Sequence, residues 1–150
     1  MNLPVRRRSI VHAGLALCAS FAVPSVRAHA CEFATAYLRI THPWTRATVA
    51  GDTSAKLCMA FEDVTLADRL ISATSPVAGA AVIGRPVGGA MPGIVIPEGV
   101  ETVLDEAGDH VLLVDLKHPL ALGMTYPLTL VFEKGGTVEA GFDVSHNRIG

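Results

Sequence analysis

Leu128-Thr129-Leu130-Val131-Phe132-Glu133-Lys134-Gly135-Gly136-Thr137-Val138-Glu139-Ala140-Gly141-Phe142-Asp143-Val144 is the stretch that decides the fold. Two apolar runs, Leu128 to Phe132 and Val138 to Val144, flank Lys134-Gly135-Gly136-Thr137, and paired glycines between runs of strand length predict a β-hairpin. Working outward, Val111-Leu112-Leu113-Val114-Asp115-Leu116 is a nearly continuous apolar run of strand length. Tyr37-Leu38-Arg39-Ile40-Thr41 alternates apolar with polar residues, and Lys56-Leu57-Cys58-Met59-Ala60-Phe61 does so more weakly. Turn residues recur at Asp52, Ser75-Pro76, Pro92-Gly93, Pro97-Glu98-Gly99, Gly108-Asp109 and Gly123. No segment sustains a helical period. Short strands at this spacing predict an all-β domain, a β-sandwich or Greek-key barrel.

The first residues read as an export signal. Arg6, Arg7 and Arg8 precede an apolar run from Ile10 to Val23, which is too short to span a bilayer and is followed by Pro24. Small residues at the last and third-last positions allow cleavage after Ala28, giving a mature start at His29, or after Ala30, giving Cys31. The first is the preferred division: 1–28 a cleaved signal peptide and 29–150 the working domain. A lipoprotein start at Cys31 is a third option with a poor lead-in. Arg7-Arg8-Ser9-Ile10-Val11 also fits a twin-arginine signal as well as it fits an ordinary basic leader. Either way the expected compartment is the periplasm.

Cleavage after Ala28 removes four arginines and no acid, leaving eight basic against fourteen acidic residues, a formal charge of −6. An acidic domain of this kind is not expected to bind nucleic acid, and no later segment is long and apolar enough to anchor it in a membrane. Aromatic residues are 5% of the chain, so the core must be built from Val, Leu, Ile and Ala. Of the three cysteines, Cys18 leaves with the signal. Cys31 and Cys58 then read as a disulfide in an oxidising compartment, the alternative being thiolates that hold Cu(I).

A chain beginning at His29 carries a free amine beside an imidazole, and those two nitrogens form a chelate. With a second imidazole from elsewhere they make a histidine brace, a planar nitrogen site suited to Cu(II). His42 precedes Pro43, which predicts an extended backbone, and Trp44 could shelter it. His110 stands at a turn entering an apolar strand. His118 and His146 read as solvated, and Met59 as core packing. Asp52 and Asp109 stand in turns near these ligands, where they serve the turn itself or orient a ring.

His42-Pro43-Trp44-Thr45-Arg46-Ala47-Thr48, Ser75-Pro76-Val77-Ala78-Gly79, Ile96-Pro97-Glu98-Gly99-Val100-Glu101-Thr102-Val103-Leu104, His110-Val111-Leu112-Leu113 and Pro127-Leu128-Thr129-Leu130-Val131-Phe132-Glu133 together resemble the PCuAC family of periplasmic copper chaperones, in order and over nearly the whole mature chain. The resemblance implies a cupredoxin-like β-sandwich, no enzymatic activity, and copper carried to a periplasmic or membrane enzyme. It also implies a histidine, a methionine about ten residues on, and a later His-x-Met pair as Cu(I) ligands. His110 fills the histidine of that pair, but Leu112 replaces its methionine. The first histidine falls near Gly84 and the first methionine near Gly88, which leaves Met91 as the nearby sulfur. A divergent member is therefore expected, with copper on His29, His42 and His110, Met91 a further ligand, and Cu(II) favoured over Cu(I). The alternatives are a β-sandwich interaction module without metal and a copper oxidative enzyme. No Ser-His-Asp set, phosphate-cradling glycine loop or CxxC pair supports a hydrolase, nucleotide or thioredoxin reading.

Overall fold

The computed structural model describes residues 32–146, and every element in it is a strand: β1 (Glu32–Ala34), β2 (Arg39–Arg46), β3 (Ser54–Glu62), β4 (Asp68–Thr74), β5 (Ala78–Arg85), β6 (Gly89–Ala90), β7 (Ile94–Ile96), β8 (Thr102–Leu104), β9 (His110–Leu116), β10 (Thr125–Phe132) and β11 (Gly136–Ser145). The strand order is β6-β5-β9-β3-β2-β11-β10-β4-β7, with β1 added to β2 and β8 to β3. The all-β expectation holds. The sheet curls on itself, because β4 and β7 at one end of the order share a core with β5 at the other. Leu70, Ile94 and Ile96 are buried in the same cluster as Val77, Ala78 and Ile83.

Alternation explains which side chains meet. Leu128, Leu130 and Phe132 of β10 belong to the core, as do Ala55, Leu57, Met59 and Phe61 of β3, while their neighbours along each strand turn the other way. Phe61 and Phe132 meet edge to face, with ring centroids 5.7 Å apart. The expected hairpin forms: Phe132 pairs with Gly136, so Glu133, Lys134 and Gly135 make the turn. The two glycines are needed for different reasons. Gly136 has φ +75°, a left-handed conformation that costs glycine nothing, and a Cβ on Gly135 would lie 2.9 Å from the side chain of Thr35.

Asp68, buried at the start of β4, clamps this hairpin. Its Oδ1 accepts from the backbone N–H of Arg69 and of Lys134, its Oδ2 accepts from that of Gly135, all at 2.8 Å, and Lys134 Nζ donates to the Ala67 carbonyl at 2.9 Å. Nothing in the sequence pattern singled out this residue.

Two strand expectations change. β2 starts at Arg39, not Tyr37, because Thr35 Oγ1 accepts from the N–H groups of Tyr37 and Leu38 and holds them in a turn. The strand then runs on through His42-Pro43-Trp44. His42 is not extended there: its φ is +49°. The pairing of β2 with β3 shifts between Thr41 and Trp44, so His42 and Pro43 form a bulge that fits a residue with no N–H to give the ladder.

Asp68→Ala leaves buried N–H donors without an acceptor and should destabilise the fold by about 2 kcal/mol. Asp68→Asn, which keeps one acceptor oxygen, should cost less. Urea denaturation of both variants measures the difference.

Candidate functional site

His110 opens β9 and is 5% exposed. Its Nδ1 lies 2.9 Å from the Gly108 carbonyl, and since a carbonyl only accepts, Nδ1 is the donor there and the neutral ring keeps its lone pair on Nε2. A ring fixed in this way is oriented as metal-binding histidines usually are. Directly across the ladder stands Gly84 of β5, which offers no side chain. Leu112, two residues on, pairs with Val82 on one side and Lys56 on the other. β5 continues into a short hairpin: Gly84 pairs with Ala90 and Arg85 with Gly89. Met91 follows it, its N–H donating to the Ile83 carbonyl at 2.7 Å and its side chain packing partly buried on the core.

The segment that carries Gly108 is itself held. Asp105 Oδ1 accepts from the N–H of Ala107 at 3.0 Å and from that of Gly108, and the Asp109 carbonyl accepts from Asp105 N–H. Arg46 binds Glu106 through two hydrogen bonds, Nε to Oε1 at 2.5 Å and Nη2 to Oε2 at 2.8 Å, and Lys56 Nζ donates to the Glu106 carbonyl. The Arg46 guanidinium holds the Glu106 carboxyl below its usual range, chiefly through that hydrogen bond. The stabilisation from this pair is thus present above the unfolded carboxyl's value and is lost as pH falls through the lowered one. Sequence reasoning passed over this arrangement, although Asp105-Glu106-Ala107-Gly108-Asp109 carries an Asx-turn signal.

Cys58 is buried beside this segment, in register with Trp44. Burial first, and then the carboxylates of Glu106 and Asp105, push its thiol up to about 12. In the absence of an ion, burial and these carboxylates keep Cys58 a protonated thiol at physiological pH. Cys31, its expected disulfide partner, lies outside the described residues, as does His29.

His42 is half-buried and lines a cavity of about 30 Å³ with Trp44, Met59, Ala60, Leu104 and Asp105, room for roughly one water-sized guest. It is not beside His110. β2 and β9 pair with opposite edges of β3, which separates their backbones by about 10 Å at the usual strand spacing. Among the described residues, no three His, Cys, Asp or Glu side chains are grouped closely enough to hold a metal ion. His118 is exposed, its ring 5.7 Å from that of Tyr126, and His146 is exposed with its carbonyl accepting from Arg46 Nη1. Met59 is core, as expected. Asp52 serves its turn, Oδ2 accepting from Val49 N–H at 2.9 Å, while Asp109 pairs with Arg85 at 3.5 Å.

Because the Cys58 thiol stays protonated and covered, iodoacetamide at pH 8 should modify it in the reduced, folded protein at least about tenfold more slowly than in urea-unfolded protein. Peptide mapping by mass spectrometry reads the rate at that site.

Comparison with known proteins fits this architecture. Several solved structures share the fold. The copper-bound PCuAC domain from PmoF2 has a TM-score of 0.70 and 31% identity over 77% of this chain and 98% of that one. The apo PCuAC domain from PmoF1 has a TM-score of 0.70 and 27% identity over 77% of this chain and 99% of that one. The solution structure of Cu(I)-DR1885 from Deinococcus radiodurans, at 24% identity, 71% and 76% coverage and a TM-score of 0.61, shares the fold alone. No curated protein sequence matches the chain. The family model described as "Putative lipoprotein LpqE-like" matches residues 38–144, and with the match spanning most of its length the chain belongs to the LpqE-like family, on a fold it shares with PCuAC domains.

Proposed function

We propose that this protein is a periplasmic copper carrier that binds Cu(II) through a nitrogen-rich site formed by His29, as amine and imidazole, together with His42, His110 or both. It hands the ion to a copper-requiring enzyme of the periplasm or membrane. The copper-bound PmoF2 domain, 31% identical, is the observation that carries the copper reading. The donor chemistry agrees. His110 has an oriented ring with a lone pair on Nε2, while glycine at position 84 and leucine at 112 leave the described part of the chain without a full set of its own. In this reading the remaining donors come from outside residues 32–146 or from a second protein.

The course of β1 supports His29 as that source. β1 runs antiparallel to β2 with Glu32 paired to Thr41, and from Trp44 onward the same edge of β2 is taken by β11. The chain thus enters β1 at the His42 bulge, three residues after His29. A Cys31–Cys58 disulfide formed on export would tether that entry further, and Met91 would be a further ligand. Copper is cargo in this reading, and the protein performs no catalytic step on it.

The exported protein should begin at His29 by mass spectrometry and, loaded with Cu(II), should give nitrogen coupling in its electron paramagnetic resonance spectrum. Loss of a partner one shell out already weakens metal sites about 10- to 100-fold. One glycine inserted ahead of His29 removes a ligand itself, so it should weaken Cu(II) binding by more than that, whereas His118→Ala should change nothing. A mature start elsewhere, or equal affinity with and without the extra glycine, removes the amine from the site.

A further inference from the structure

Among the described residues the curled sheet ends in two free edges, β6 and β7, and both lie at one place, joined by Met91-Pro92-Gly93. Among the described strands each is paired on one side only, β6 with β5 and β7 with β4. Between them lies a groove of about 360 Å³, lined by Arg69, Arg85, Val87, Met91, Pro92 and Val95 among others. Val87, at the tip of the β5–β6 hairpin, is 89% exposed, and Val95, facing outward from β7, is 60% exposed.

The charge of this groove runs against that of the chain. The protein holds fourteen acidic residues, yet among the described residues no carboxylate lines the groove, which carries two arginines. Both guanidiniums are loosely engaged: Arg69 Nε is 3.8 Å from Glu133, Arg85 Nε is 3.5 Å from Asp109, and all four side chains are at least a third exposed. Pairs of that kind contribute little to stability and give way to better-placed carboxylates. An unpaired strand edge and exposed valines are the parts from which strand addition is built, and loosely held guanidiniums beside them suit an acidic segment.

We propose that this groove docks an extended, acidic and apolar segment of the protein that receives the copper. The segment adds as a strand to the free edge of β7, sets its carboxylates on Arg69 and Arg85, and packs alternate apolar side chains against Val87, Met91 and Val95. Only the partner's identity rests on the copper-carrier reading; the chemistry of the docked segment rests on the groove. The location suits a hand-over, because Arg85 pairs with Asp109, next to His110, and Met91 lies in the groove wall.

The test is a titration of the isotope-labelled exported protein with a blocked peptide of alternating glutamate and valine, followed by two-dimensional NMR. Backbone amides of Ile94–Ile96 and the side-chain N–H signals of Arg69 and Arg85 should shift. Affinity should fall as salt rises, and the double variant R69E/R85E should bind at least about tenfold more weakly. Equal binding of a lysine–valine peptide, shifts confined to another surface, or no effect of the double variant would overturn the proposal. So would a doubling of particle size without peptide accompanied by shifts at β7, which would give the edge to a second copy. A parallel Cu(II) titration separates the two readings: unchanged copper affinity in R69E/R85E with lost peptide binding supports the groove. Peptide binding by a protein that takes no copper supports it too, and fails the carrier reading instead.

Discussion

One strand is asked to serve both halves of the sheet. Ser54 to Leu57 of β3 pair with β9, Met59 to Phe61 pair with β8 on the same edge, and Cys58 to Glu62 pair with β2 on the other. Such a strand is covered on both faces along much of its length, and its burial pattern reflects this: Leu57, Cys58, Met59, Ala60 and Phe61 are all buried. The inward set joins the main core. Cys58 and Ala60 lie on the other face, near Trp44 and residues 105–109, so the fastening of those residues by Arg46 and Lys56 is part of what closes the domain. The same arrangement separates the two histidines of greatest interest, since His42 and His110 belong to strands on opposite edges of β3.

Much of the fold was legible in the residues. The hairpin around Gly135 and Gly136 was readable because it needs only local chemistry: apolar runs of the right length and glycines where φ must be positive or a neighbour comes close. β9 was readable because a strand in the middle of a sheet is apolar nearly throughout. What escaped was non-local. Asp68 looks like an ordinary turn acid until the fold brings Lys134 and Gly135 to it from the far end of the chain. His42 looked extended because the rule for a residue before proline concerns the isolated dipeptide. In the sheet, the ladder cannot use Pro43 and absorbs it in a bulge, turning His42 into the left-handed region.

The candidate site was legible by position more than by geometry. His110 was recognisable as the residue entering β9, but the bond from its ring to Gly108, which sets the lone pair on Nε2, depends on a turn organised by Asp105. Gly84 carried no cue to its partner, and the register places it across the ladder from His110. Cys58 carried no sequence cue to its acidity, because two carboxylates from a distant turn and the burial of β3 set it together.

The pairing of β11 with β2 is parallel and brings Asp143 beside Trp44, while Arg46 reaches the carbonyl of His146, a hundred positions along the chain. Contacts of that span are costly in chain entropy and late to form. The domain therefore cannot seal until β11 has been added beside β2, and without that strand the edge of β2 at Trp44 to Arg46 stays open.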